Sequence, residues 1–247
     1  VPLTQSTKSA IKTHLLKEVR RYLSEGNHAK NKVITTRPFQ SRLLPELFAG
    51  GLSQQSFSTR LGSWFQVIGR LVAIQFHQSA QIGYSVSGEI QPAASSHITT
   101  LLDQMNKGRP KRVPSRQEDI TQVLAVQSLG GVPIEVTADL FVRTHENEEL
   151  YFEMKTPEPN KDTSMAMKRF ILTTAAIRKG HMANAYAATA YNPYGDGKPY
   201  VRNYAQQFLE IGQDMLIGRT FWEKIGDLQT YDELLILAEE VGKEAAL

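Results

Sequence analysis

The sequence predicts a single α/β domain over residues 1–247, with helix-rich N- and C-terminal parts around a central group of strands. Three observations predict it. Apolar residues recur at helical spacing through 5–25 and 53–80, the period changes to two at Gly130-Gly131, and helical spacing returns from about 202 to the end. A chain of 247 residues, 41% hydrophobic and 21% charged, is long enough to bury one large core. It shows no internal repeat, low-complexity tract or linker-like segment.

The elements follow in order. Over 5–25, Ile11, Leu15, Val19 and Tyr22 with Leu23 keep one helical face, and Gly26 is a natural stop. Over 53–80, Phe57, Leu61, Trp64, Phe65, Ile68, Leu71, Val72 and Phe76 make the strongest helical face in the chain. That helix is expected to be central or half-buried in a subunit interface, with Trp64 in a core. Helical pieces at 96–106 and 116–127 flank the basic segment Gly108–Pro114. Ile134, Val136, Ala138, Leu140 and Val142 then alternate with Glu135, Thr137, Asp139, Phe141 and Arg143, so 132–143 is a strand. A polar turn at His145–Glu149 leads to a second strand, Leu150–Thr156. A helix over 162–179, a strand over Ala183–Tyr191 and a Pro/Gly turn over 193–200 come next. Helices over 202–217, 219–225 and 231–245 close the chain, with Trp222 in the core.

The net charge of +3 is a sum of opposed blocks: +7 over 1–42, −1 over 43–106, +5 over 107–117, −7 over 118–160, +4 over 161–181, zero over 182–222 and −5 over 223–247. Basic blocks on both sides of one acidic block suit a polyanion ligand with carboxylates to hold a metal. Zero cysteines removes thiol nucleophiles and Cys-ligated zinc and fits a reducing cytoplasm. No run of about 18 apolar residues is present, and Val1-Pro2-Leu3 does not open a signal peptide. The six histidines show no HxxxH pairing and there is no GxxxxGK[ST] loop, so neither a zinc hydrolase nor an NTP-driven motor is expected.

The acidic block carries Asp139 on one strand and Glu153-Met154-Lys155 on the next. An acid-x-Lys triplet alone means little, and a second one, Asp196-Gly197-Lys198, lies on a turn. Glu153 and Lys155, two apart on a strand, leave the same face. Asp139 joins them if paired residue numbers sum to an even value. A sum of 292 sets Asp139 opposite Glu153 with the three-residue loop His145–Asn147. A sum of 294 sets it opposite Lys155 with a five-residue loop, and both are ordinary hairpins. Two carboxylates and a backbone carbonyl form a hard-oxygen site suited to Mg²⁺, which activates a water toward a phosphodiester, with Lys155 orienting or deprotonating that water. The competing reading is a cross-strand ion pair. On the following helix, Lys161, Lys168 and Lys179 fall within about 20° of one another, a rail for a phosphate backbone. Asn160 and Arg169 are counted with it.

Asp139…Glu153-Met154-Lys155 across a hairpin resembles the PD-(D/E)xK nuclease signature, with Ala138 in place of the proline. More closely, four spaced blocks resemble the TdeIII-type restriction endonucleases. They are Ser56-Phe57-Ser58-Thr59-Arg60-Leu61-Gly62; Tyr151–Thr156 with Pro159-Asn160; Tyr191-Asn192-Pro193-Tyr194 with Pro199-Tyr200; and Gly218…Phe221-Trp222 followed by Thr230-Tyr231 and Glu240–Glu244. The resemblance implies a mixed central sheet flanked by helices and a type II restriction enzyme. It further implies Mg²⁺-dependent double-strand cleavage at a short symmetric site, GGNCC in this family, leaving 5′-phosphates. Carried over residue by residue, Asp139 and Glu153 are metal ligands and Lys155 is the catalytic lysine. Relatives in the wider superfamily place another acid on the long helix before the hairpin, where this chain has Gln66. Glu89 or Glu118 would have to serve instead, and one-metal and two-metal mechanisms stay open.

Tyr191, Asn192, Tyr194 and Arg202 are candidates for reading bases, and Lys111 and Arg112 for contacting phosphates. A symmetric DNA site implies a homodimer, and a restriction system implies a cognate DNA methyltransferase that acts without direct contact. The acidic tail 223–247 is expected to face away from DNA. The alternatives are a structure-selective repair or junction nuclease on the same core, and a non-catalytic DNA-binding protein.

Overall fold

A computed structural model describes residues 1–25, 38–44, 54–108, 111–126, 128–179 and 181–245, with the side chains of all of these except 54–59. Gly26, Arg109 and the side chains of Ser56–Thr59 therefore lie outside the described residues. In chain order the described elements are α1 (Gln5–Ser24), α2 (Pro38–Leu43), α3 (Gln54–Phe76), β1 (Ser79–Ile90), α4 (Pro92–Lys107), α5 (Arg116–Ala125), β2 (Val132–Arg143), β3 (Glu149–Met154), α6 (Lys161–Ile177), β4 (Ala183–Thr189), α7 (Asn203–Phe208), β5 (Met215–Ile217), α8 (Arg219–Ile225) and α9 (Thr230–Ala245). This is a mixed α/β fold whose five-stranded sheet, in the order β1-β2-β3-β4-β5, is flanked by helices, as in nucleases of the expected class. No helix among the described residues is long and apolar enough to cross a membrane.

The chain folds as two compact units. One comprises Val1–Phe76, Ala190–Tyr200 and Ile217–Leu247, and the other His77–Thr189 and Val201–Leu216. The first is helical. Thr4 caps α1 by accepting from the Thr7 amide, and Ile11, Leu15, Val19 and Tyr22 turn inward, as their spacing predicts. On α3, Leu61, Trp64, Phe65, Ile68 and Val72 are buried. Rings pack edge to face at the centre: Phe39 on Phe65 (4.9 Å between centroids) and Phe65 on Trp222 (6.2 Å). The Trp222 indole N–H donates to the Ala190 carbonyl at 2.8 Å, so the buried ring leaves no polar group unsatisfied.

The second unit holds the sheet and the hairpin. β1, β2 and β3 form an antiparallel meander, and β4 runs parallel to β3. A parallel neighbour needs a crossover, and α6 supplies it, packing against β4, β1 and β2. Its inward face carries Met167, Phe170, Ile171, Thr174 and Ala176. The approach is close at Gly88, where a Cβ would come within 2.6 Å of Ile177 Cγ2.

Two stretches differ from the sequence expectation. The helix over 53–80 stops at Phe76, and Ser79–Ile90 is a twelve-residue strand whose side chains alternate between exposed and covered. The helix expected over 202–217 is a short α7 followed by a bend and the three-residue strand β5. There Asp214 gives its backbone carbonyl to the Ala187 amide of β4 at 2.8 Å. Pairing with the sheet overrides the weak helical pattern of that stretch.

Candidate active site

The hairpin brings the acidic triad together. Leu140 pairs with Phe152, Phe141 with Tyr151, Val142 with Leu150 and Arg143 with Glu149, each pair summing to 292. The turn closes the same register. The Thr144 amide donates to the Glu148 carbonyl at 2.9 Å, leaving His145–Asn147 as the loop, and Asn147 takes a φ of 64° that asparagine tolerates. Extended by one pair, this register sets Asp139 level with Glu153 on one face. Asp139 Oδ2 accepts from the Met154 amide at 2.8 Å and from Lys155 Nζ at 3.1 Å. Lys155 Nζ lies 2.6 Å from Glu153 Oε1, and its own amide donates to the Ala188 carbonyl of β4 at 3.0 Å. Three strands therefore fix the group. Across on β1, the register sets Gly83 level with Asp139; its φ is +64° and open space lies where a Cβ would stand.

The three side chains are part-buried, with Asp139, Glu153 and Lys155 retaining 21%, 17% and 34% of their exposure. Burial, reinforced by the charge of Asp139, raises the Glu153 carboxyl above its usual range against the opposing pull of Lys155. Burial alone would lower the Lys155 ammonium. Its hydrogen bond to Glu153 and the charges of Glu153 and Asp139 outweigh that, so its pKa lies above the ordinary lysine value. In this arrangement Lys155 is a fixed cation that donates hydrogen bonds, not a proton acceptor. It is placed to orient a water or steady a developing anionic oxygen.

A family model for the type II restriction endonuclease HinfI matches residues 3–242. The chain belongs to the HinfI family of type II restriction endonucleases. Curated relatives agree: the type II restriction enzymes HgiCII, HgiEI and HgiBI of Herpetosiphon aurantiacus are each 29% identical over 211 residues, covering 83% of this chain and 77% of the relative. The chain is accordingly a site-specific deoxyribonuclease, and the restriction-enzyme resemblance read from the four spaced blocks is met at the level of type II enzymes.

Within this HinfI-family chain the donor set fits a divalent cation. Two carboxylates already converge on one positive centre, the Lys155 ammonium, and hard oxygen donors of this kind suit Mg²⁺, which keeps several of its own waters. Among the described residues no group of three or more acids and histidines gathers as a metal site. Glu89 pairs across from Pro133, six positions along the strand from the level of Asp139, or about 20 Å away. Glu118 faces Arg112 at 3.2 Å. Neither supplies the third acid considered for this enzyme.

The other expected contacts fall into two groups. Lys168 is a correction: its side chain is fully buried, and Nζ lies 2.8 Å from Asp119 and 2.6 Å from Asp214, both also fully buried. It shares a helical stripe with Lys161, but the stripe turns inward at Lys168, so it cannot face a phosphate. Arg112 joins the same cluster, donating to Asp119 at 2.7 Å, and its guanidinium is committed there. Tyr191 is a second correction. It is 1% exposed in the aromatic core, with its hydroxyl bonded to Gln40 Nε2, and reads no base. Asn192 shapes its own turn, donating to the Lys198 carbonyl at 2.7 Å and accepting from the Tyr194 amide at 3.0 Å. Asn160 caps α6 by accepting from the Thr163 amide at 2.8 Å. Arg202 donates to the Pro159 carbonyl at 3.2 Å, and Tyr194 packs edge-on against Tyr200. Lys111, Arg169 and Lys179 are exposed and Lys161 is half-exposed.

The cluster of Arg112, Asp119, Lys168, Asp214 and Arg116 does not follow from the sequence pattern. Arg116 reaches Asp214 at 3.4 Å and the Ala185 carbonyl at 2.8 Å, and its guanidinium lies over the Tyr186 ring. The cluster ties α5, α6 and the segment before β5 to β4.

Proposed function

We propose that the chain is a Mg²⁺-dependent, homodimeric restriction endonuclease that cuts both strands of DNA at a short symmetric site and leaves 5′-phosphates. The observation that carries this reading is the convergence of Asp139 and Glu153, level on neighbouring strands, on the Lys155 ammonium. Asp139 and Glu153 would hold the cation, which when bound lowers the pKa of a water and polarises the phosphodiester. Lys155 orients the attacking water and offsets charge on the phosphate. Lys111, Asn160, Lys161, Arg169, Lys179, Asn192, Tyr194 and Arg202 are the side chains proposed to meet DNA. The homodimer is supported by the two-fold symmetry of the proposed target, for which the TdeIII-type resemblance supports a GGNCC-like sequence. A cognate methyltransferase protects host DNA without contacting this chain, and the enzyme works in the cytoplasm. The chain passes between its two units four times, at Phe76, Thr189, Tyr200 and Leu216. With a family match spanning both units, this supports one restriction-endonuclease domain.

Digestion of sequenced DNA with Mg²⁺, followed by mapping of the ends, tests the reading. Discrete fragments with 5′-phosphates are expected, lost in Asp139→Ala and Lys155→Met. Preferential cutting of branched duplexes would favour a repair or junction nuclease, and salt-dependent binding with no cleavage would favour a DNA-binding protein.

A further inference from the structure

Among the described residues, Gly83 is the one position within the five strands that takes a positive φ, at +64°. β1 pairs with β2 at Ile82–Leu140 and again at Tyr84–Ala138, and Gly83 and Asp139 lie between these rungs. Alternation along this register would put Tyr84 on the face of Ile82 and Leu140, opposite to Phe141. Instead the Tyr84 ring stacks on Phe141, with centroids 4.1 Å apart and planes 19° from parallel, and lies 6.0 Å from Tyr151. Alternation therefore breaks at the rung of Asp139, and the left-handed backbone of Gly83 is what breaks it. The result is an aromatic layer of Tyr84, Phe141 and Tyr151. Arg178 holds it from the end of α6, donating from Nε to the Tyr151 hydroxyl at 3.0 Å. Tyr151 and Glu153, two apart on β3, share a face, so this layer adjoins the carboxylate pair.

Asp139 stands where β2 parts from β3. The last paired rung between those strands is Leu140–Phe152. Beyond it the tie to β3 is the Asp139 side chain, whose Oδ2 accepts from the Met154 amide at 2.8 Å and from Lys155 Nζ at 3.1 Å. On the other side the neighbour is Gly83. A Cβ at position 83 would meet nothing within 4 Å, so a side chain there clashes with no atom and its cost is that of the left-handed backbone alone. That cost is relieved only if the chain leaves the left-handed region. Doing so restores the alternation of β1, takes Tyr84 off Phe141 and moves the rung that carries Asp139.

We propose that Gly83 is a positioning residue: its left-handed backbone turns β1 and β2 at the rung of Asp139 and so holds that carboxylate against the Met154 amide and Lys155. The value of this to the enzyme rests on the proposed role of Asp139 as a cation ligand, but the coupling itself is measurable in the metal-free protein. The test compares wild type, Gly83→Ala and Gly83→Asn. Both variants add a Cβ, and only asparagine tolerates the left-handed region. Hydrogen exchange of the Met154 amide reports its bond to Asp139. The Ala187 amide, held at 2.8 Å by the Asp214 carbonyl, is the control. Gly83→Ala is expected to speed exchange at Met154 by about 5- to 30-fold, the weight of a left-handed backbone at a residue other than glycine. Ala187 should be unchanged, and Gly83→Asn should recover most of the protection at Met154. On DNA carrying the mapped site, Gly83→Ala should raise the Mg²⁺ concentration for half-maximal rate while KM for DNA is unchanged, and Gly83→Asn should restore it. Equal exchange at Met154 in wild type and Gly83→Ala overturns the proposal. So does equal acceleration at Met154 and Ala187, which a general loss of stability gives, or an equal effect of alanine and asparagine, which traces to the added Cβ and not to the backbone. The expected exchange pattern in a protein that cuts no DNA would instead remove the nuclease reading and leave the coupling of Gly83 to Asp139 standing.

Discussion

Replacing Lys168 by Met removes the one ammonium that sits between two fully buried carboxylates while keeping most of its volume. Breaking a buried ion pair by deleting one partner costs about 3–5 kcal/mol, and the geometry sets this case at the lower end. Asp119 keeps Arg112 at 2.7 Å and the Ser115 amide at 3.1 Å, and Asp214 keeps Arg116 at 3.4 Å and the Glu210 amide at 3.1 Å. Neither carboxylate is orphaned, and two arginines still face two aspartates. A loss of about 3 kcal/mol corresponds to a fall in Tm of about 6–12 °C for a chain of this size. The decisive companion measurement is the salt dependence of DNA binding. Removing one cation that neutralises a phosphate flattens the slope of log K against log salt by about 0.9. Lys168→Met should leave that slope unchanged, whereas Lys161→Ala and Lys179→Ala, if those side chains meet the backbone, should each flatten it without a comparable fall in Tm. A flatter slope with unchanged Tm in Lys168→Met would refute the buried cluster and restore a lysine rail along α6.

Other perturbations have equally definite outcomes. Chelation of divalent cations should abolish cleavage and leave DNA binding measurable by gel shift; persistent cutting in excess chelator would exclude the two-carboxylate cation site. Burial lowers the pKa of His14 below the ordinary value of 6.5, so the unfolded chain binds the proton more readily. Stability should therefore be full above about pH 6.5 and decline as pH falls through that value toward the folded pKa. Tm measured from pH 8 to 5 should fall more steeply in wild type than in His14→Gln, and superimposable profiles would remove His14 from the account. Asn160→Ala deletes the α6 cap and should cost about 1 kcal/mol, with Asn160→Ser recovering most of it. An unchanged Tm in Asn160→Ala would show that the α6 terminus does not depend on the cap.

What could be read in the sequence tracks how local the determinants are. The β2–β3 hairpin is legible because alternation over 132–143, a polar turn and a second apolar run all lie within 23 residues, and because one slip in register would expose a whole buried face. Asp139 and Glu153 inherit their shared face from that period, while the choice between sums of 292 and 294 waits on the turn at Thr144–Glu148. β1 carries the same kind of signal in Ile82, Tyr84 and Val86, but Gly83 and Gly88 thin it, and the strong α3 pattern runs almost into it. α7 and β5 hide for another reason. Three residues of strand are held by the Asp214 carbonyl bonding across to Ala187, a contact between segments 27 residues apart.

Lys168 shows where a helical wheel stops. The wheel groups Lys161, Lys168 and Lys179 correctly by angle, but angle alone does not say what lies across from each residue. Fully burying an ammonium is prohibitive unless anions come with it, and here they come from Asp119 and Asp214, 49 and 46 residues away. No window along the chain contains all three. The same reasoning separates Asp139 from Lys168 as candidates for chemistry. Both are charged groups in ion pairs, but Lys168 has all its partners and no exposure, whereas Asp139 keeps a fifth of its surface. A buried network whose groups are already paired has little to offer a substrate. A part-buried pair of carboxylates that shares a single lysine still has oxygen lone pairs and exposed surface to offer.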